Sequence, residues 1–323
     1  MIRRIAAPPF EALDPFLPRL GTTDAATREG VAAILAEVAA RGDAAVQELT
    51  ARFDGVTLEP HEWEVPREAW LAALDRLDPA LRGALELAVA RVTAYHERQR
   101  EPGFTLALDD GSELGMRVTP LDRVGLYVPG GTASYPSSVI MNAVPAVVAG
   151  VREIVAVTPP RGFLNDAVLA ACALAGVTRI FRVGGAQAVG ALAFGTATVP
   201  RVDKIVGPGN RWVAEAKRQV VGLVGIDMIA GPTEVLVIAD GRADPARVAA
   251  DLIAQAEHDE DAASWCVTTS PALADALPAA LEAALARAPR AAIARPALAR
   301  HGLVVVVPDL LAAAEVANRR APE

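Results

Sequence analysis

REIVAVTPP (152–160), NDAVLAACALAG (165–176), RIFRVGG (179–185), AQAVGALAFG (186–195), DKIVGPG (203–209) and NRWVAEAKRQVVG (210–222) alternate along one continuous stretch of the chain. The first, third and fifth are short β-branched runs. The others are Ala-rich, helix-length segments. Strand, turn and helix in repetition argue for βαβ units around a mostly parallel sheet. The rhythm resumes downstream. TEVLVIAD (233–240) reads as a strand, and Asp244-Pro245 opens a helix to His258, with an N-cap acid before Pro at the first helical position. SWCVTTS (264–270) and GLVVVVP (302–308) are further strands, Ala-rich helices fill Pro271 to Ala299, and DLLAAAEVANRR (309–320) begins a last helix.

Upstream, residues 1–21 form a Pro-rich arm without periodicity. TTDAATREGVAAILAEVAARGDAAV (22–46) has a helical pattern with a cap at Thr22 or Thr23, and Arg67–Leu77 and Pro79–Arg100 read as two more helices. FTLALDDGSELGMRVTPL (104–121) reads as a hairpin turning at Asp-Asp-Gly. The expected division is an arm at 1–21, one α/β domain from 22–126 plus 233–323, and a second from 127–232.

The chain has 323 residues, 52% hydrophobic and 22% charged, which fits a globular protein large enough for two cores. Its net charge of −8 disfavours nucleic acid or an anionic membrane as the main partner. The longest apolar run, near Ala167 to Val177, is too short to span a bilayer, and the N-terminus lacks a signal-peptide pattern, so a cytoplasmic location is expected. Cys172 and Cys266, both in apolar settings, read as core residues.

Three Gly-containing turns follow strands: Tyr127-Val-Pro-Gly-Gly-Thr132, Gly184-Gly-Ala-Gln187 and Gly207-Pro-Gly-Asn210. Glycine lets a ligand approach backbone N–H groups, and a helix start favours an anion. It is also what a tight strand-to-helix turn requires, and none of the three matches G-x-G-x-x-G. Gln255 and His258 share a helix face at i and i+3. His258 suits zinc, yet a lone helical His is also a common structural residue. His61, His96 and His301 read as surface residues.

Taken in order, YVPGGTASYPSSVIMNAVPA (127–146), GGAQAVGALAFGT (184–196), VDKIVGPGN (202–210), GIDMIAGPTEVLVIAD (225–240) and DLIAQAEHD (251–259) resemble the histidinol dehydrogenases. The resemblance runs from about residue 22 to the last residue. It implies two incomplete Rossmann-like domains, similar to the aldehyde dehydrogenase fold, and a homodimer. It implies NAD contacts at Tyr127, Gln187 and Asn210, and zinc ligands at Gln255 and His258, which also meet substrate. Thr233 stands where the family usually has a substrate-contacting Ser.

The resemblance implies oxidation of L-histidinol through L-histidinal to L-histidine with two NAD. Zinc would orient the substrate and Glu323 would activate water for the second oxidation. The family reads A-P-E-H where this sequence ends Ala321-Pro322-Glu323, and its catalytic His, with an Asp and a His that complete the zinc set, follows that point. On this reading the polypeptide alone is expected to have little activity. A dehydrogenase for another alcohol and a non-catalytic nucleotide-binding remnant are the alternatives.

Overall fold

A computed structural model of the chain describes residues 2–17, 24–130, 136–160, 165–229 and 233–322. The chain divides into two compact units, one from Thr23–Ile229 and one from Met1–Thr22 with Ala230–Glu323. A short strand, β1 (Arg3–Ala6), comes first. Helices α1 (Ala25–Arg41), α2 (Asp43–Asp54), α3 (Arg67–Arg76) and α4 (Pro79–Glu97) follow. Next is an antiparallel hairpin of β2 (Phe104–Ala107) and β3 (Glu113–Met116), turning at Gly111 as expected.

The alternating stretch follows, as read between residues 152 and 222. It runs β4 (Arg123–Tyr127), α5 (Pro136–Ala149), β5 (Glu153–Val157), α6 (Asp166–Leu174), β6 (Arg179–Phe181), α7 (Gly185–Phe194), β7 (Lys204–Val206), α8 (Arg211–Gln219) and β8 (Gly225–Ile226). These strands form a parallel sheet in the order β6-β5-β4-β7-β8. Successive residues of a strand face opposite sides. Val124, Leu126, Ile154, Ala156 and Ile180 therefore pack with α3 to α6, while Tyr127, Val155, Val157 and Ile205 pack with α1, α2, α7 and α8.

The second unit holds β9 (Glu234–Ala239), α9 (Pro245–Ala256), β10 (Ala263–Thr268), α10 (Pro271–Leu285), α11 (Ala291–His301), β11 (Leu303–Val306) and α12 (Leu310–Arg320). Its parallel sheet runs β1-β11-β10-β9. Cys266 and Val304 face α9, α10 and α11, whereas Trp265, Val267 and Val305 face α12 and the N-terminal segment around Leu13.

Three expectations need correcting. Residues 3–6 are not an arm but the edge strand beside β11. An edge strand needs only one ladder, so its arginines stay exposed and mask the pattern. Helices α1 to α4 belong with the sheet of β4 to β8 rather than with residues 233–323, because Val31, Leu35 and Val38 of α1 and Trp70 of α3 fill its two cores. The first helix is capped by Asp24, whose carboxylate accepts from the Thr27 N–H at 2.8 Å; Thr22 and Thr23 lie outside the described residues.

Candidate active site

The sheet order creates a switch point. Strands β4, β5 and β6 progress to one side, and the chain then crosses back to place β7 on the other side of β4. At such a point the connections leave on opposite faces and open a crevice beyond the strands' carboxyl ends. Tyr127 ends β4 there, and Gly207 follows β7. Gly207 has φ +109°, and a Cβ on it would overlap the carbonyl oxygen of Tyr127, so only glycine lets these two strand ends close up. Likewise a Cβ on Gly184, which precedes α7, would lie 2.6 Å from the Pro159 ring beyond β5.

Tyr127 is buried, and its hydroxyl oxygen accepts from the Gly185 N–H at 3.1 Å. Burial pushes its pKa up to about 12, so it stays neutral. Gln187 lies in the first turn of α7 and is only 1% exposed. Its Nε2 is buried with no hydrogen-bond partner. An orphaned amide donor costs about 1–3 kcal/mol unless a water or a ligand accepts from it. Asn210 caps α8, its Oδ1 accepting from Trp212 N–H at 3.0 Å and Val213 N–H at 3.1 Å. A contact to a ligand would therefore use its Nδ2. The three glycine turns that the sequence singled out thus follow the carboxyl ends of β4, β6 and β7 in one sheet, although Gly131 and Thr132 lie outside the described residues.

In the other unit, Thr233 immediately precedes β9 and is exposed; its carbonyl accepts from Ala263 N–H at 3.0 Å, at the start of β10. Gln255 sits in the last turn of α9 and His258 follows on the turn into β10, its N–H donating to the Gln255 carbonyl at 3.2 Å. The strands are parallel, so Thr233 and this turn share the sheet edge where β9 and β10 begin. His258 is exposed, and Gln255 Nε2 is buried without a partner. Arg320, ending α12, is buried, pairs with Glu234 at the start of β9 and lies over the Trp265 ring at 5.1 Å. The segment leading to Glu323 therefore starts at the same edge. Glu323 itself lies outside the described residues.

The remaining histidines divide. His61 is exposed as expected, but His96 and His301 are half-buried, because Gln99 meets the His96 Nδ1 at 2.6 Å and Asp261 lies 3.8 Å from the His301 ring. Both cysteines are buried core residues.

The family model for histidinol dehydrogenase matches residues 17–323. The chain belongs to the histidinol dehydrogenase family. The Bordetella parapertussis histidinol dehydrogenase is 55% identical over 314 residues, which is 97% of this chain and 71% of that protein. The crystal structure of histidinol dehydrogenase from Elizabethkingia anophelis is similar with a TM-score of 0.90 at 33% identity, covering 100% of this chain and 74% of that one. An NAD-dependent benzaldehyde dehydrogenase from Corynebacterium glutamicum gives a TM-score of 0.48 at 14% identity, over 91% of this chain and 78% of that one. For a histidinol dehydrogenase family member, the fit to a dinucleotide at the switch point rests on Gln187, whose Nε2 is an unused donor, whereas the space beside Gly207 is taken by the Tyr127 carbonyl. Metal donors are fewer. Among the described residues no three His, Cys, Asp or Glu side chains come together around a metal position, and Gln255 with His258 supply two donors where zinc takes about four.

Sequence reasoning missed Lys217, Asp227, Glu234 and Arg320, which brace these segments. A charged residue on a helix reads as solvated until its burial is seen.

Proposed function

We propose that this chain serves the NAD-dependent oxidation of L-histidinol, through L-histidinal, to L-histidine. The single observation that supports this most is the match to the family over residues 17–323, which includes every segment around the two candidate sites. In this reading Tyr127, Gln187 and Asn210 hold the dinucleotide at the switch point. NAD+, when bound, supplies the hydride acceptor for each of two oxidations. Thr233 offers its hydroxyl to the substrate, and Gln255 and His258 orient it. In the first oxidation the alcohol loses its hydroxyl proton and a hydride from the same carbon. In the second, Glu323 takes a proton from water as the water oxygen bonds to the aldehyde carbon and the carbonyl oxygen gains a proton; the hydrate then loses a hydride and two protons and becomes the carboxylate.

The family's zinc would be held in part by Gln255 and His258. Two donors do not complete a site that takes about four.

A homodimer is part of the proposal. Phe104, Leu106, Leu114 and Met116 of the hairpin are all exposed, an apolar ribbon that a second copy would cover. No helix among the described residues is long and apolar enough to cross a membrane. A cytoplasmic location goes with a biosynthetic role.

The test is NADH formation at high protein concentration with L-histidinol and with a panel of other primary alcohols. Histidinol-dependent NADH, even at a slow rate, is the expected result. NADH formed only with another alcohol would overturn the substrate assignment.

A further inference from the structure

The turn between β7 and α8 contains a peptide with no place in either element. Gly207 follows the last ladder residue of β7, and Pro208 has no N–H to offer a turn. Both polar groups of Gly207 are nevertheless satisfied, by two charged side chains. Its N–H donates to Asp227 Oδ2 at 2.8 Å, and its carbonyl accepts from Lys217 Nζ at 3.0 Å. Lys217 and Asp227 also pair with each other, and Asp227 accepts from the Met228 N–H at 2.7 Å. The Lys217 side chain is 4% exposed. Lys217 comes from α8, two turns beyond its start, and Asp227 follows β8, its N–H donating to Ile205 of β7 at 3.3 Å. The clamp therefore ties the Gly207 turn to the helix it begins and to the neighbouring strand.

We infer that Lys217 and Asp227 are positioning residues for the dinucleotide: they hold the Gly207-Pro208-Gly209-Asn210 turn in its binding shape before the ligand arrives. This inference rests on the proposed placement of NAD at the switch point. A surface arranged beforehand binds more tightly because the ligand need not order it. A buried ion pair is weak support for stability by itself, and its retention here goes with geometry at one peptide.

The test is NAD binding by titration calorimetry to the wild-type protein and to Lys217→Met, each at a temperature where circular dichroism shows it folded. The dissociation constant should rise about tenfold in the variant. In steady-state assays KM for NAD should rise while KM for the alcohol and kcat at saturating NAD hold, a split that mere loss of stability does not produce. A folded Lys217→Met that binds NAD within about twofold of wild type would overturn the clamp but leave the NAD site standing. Wild-type protein that does not bind NAD would overturn the underlying site and the clamp with it. Should Lys217→Met fail to fold, amide exchange in the wild type decides. The Gly207 N–H should already be protected without NAD and slow by less than about tenfold on adding it; a slowing of more than about a hundredfold would mean that the ligand orders the turn.

Discussion

The hydroxyl oxygen of Tyr127, at the end of β4, accepts a hydrogen bond from the backbone N–H of Gly185 at the start of α7, 3.1 Å away. The first N–H groups of a helix have no partner within it, so a buried phenol satisfies one of them and links two strand ends of the crevice. Tyr127→Phe removes this link and should lower stability by about 1 kcal/mol. It should also weaken NAD binding several-fold, as titration calorimetry would show. The phenol's pKa is raised from 10.0 to about 12, chiefly by burial. Its protonated form is thus favoured in the folded state. Wild type should lose stability as pH rises from 10 toward 12, and Tyr127→Phe should lack that component in alkaline urea titrations.

The two thiols should be silent in the native protein. Burial raises the Cys172 pKa from 9.0 to about 12 and that of Cys266 to about 11. The thiolate is the reactive form, and neither side chain reaches solvent. At neutral pH iodoacetamide should label both at the rate of unfolding. Fast labelling of the native protein at either position would contradict the packing. The same shifts are favourable to folding below pH 9.0 and are progressively lost above it, adding to alkaline sensitivity.

The alternation between 152 and 222 was legible because buried parallel strands are apolar on both faces and their helices are Ala-rich. The hairpin at 104–116 was legible because Asp-Asp-Gly admits the positive φ of Gly111. The glycine turns could be placed after strands, but their meeting at one crevice depends on the order β6-β5-β4-β7-β8, which local pattern does not encode. Helices α1 and α3 show an apolar stripe, and a stripe does not say which sheet it covers. Lys217 with Asp227, and Glu234 with Arg320, were invisible for a different reason. Their side chains carry charge, and burial follows from partners ten and 86 residues away.

Glu64 fastens the segment before α3 to the edge of the five-stranded sheet. Its carboxylate receives Arg179 Nε at 2.8 Å and a second nitrogen at 2.7 Å, and the Val65 N–H donates to the Ile180 carbonyl at 2.8 Å. The Arg179 guanidinium, 4.7 Å over the Phe181 ring, holds the Glu64 pKa below its ordinary 4.5. A depressed carboxylate pKa favours folding above pH 4.5, and that contribution is lost as pH falls below it. Glu64→Gln should therefore be less stable than wild type at pH 7, and the gap should narrow on acidification in urea midpoints. A gap independent of pH would show that shape rather than charge holds this edge.

Arg320 and its neighbour Arg319 allow an internal comparison. Arg319 pairs with Glu315 one helical turn back, with both side chains at least 40% exposed. Such a pair contributes roughly 0.3–0.5 kcal/mol, and the guanidinium 4.9 Å over the Phe10 ring adds about 0.5–1 kcal/mol, so Arg319→Met should lower the melting temperature only slightly. Arg320 is 5% exposed, lies over Trp265 and pairs with Glu234. Removing one partner of a buried pair costs about 3–5 kcal/mol. Arg320→Met should therefore lower the urea midpoint strongly. Glu234 adjoins Thr233, and Ala321, next to Arg320, takes a left-handed φ of 43° that turns the chain out of α12. The same pair thus fixes Thr233 and the turn out of α12 relative to one another. Arg320→Lys keeps the charge but not the flat face that stacks on Trp265. It should recover part of the stability and little of any histidinol-dependent NADH formation. Recovery of both in equal measure would assign Arg320 to stability alone.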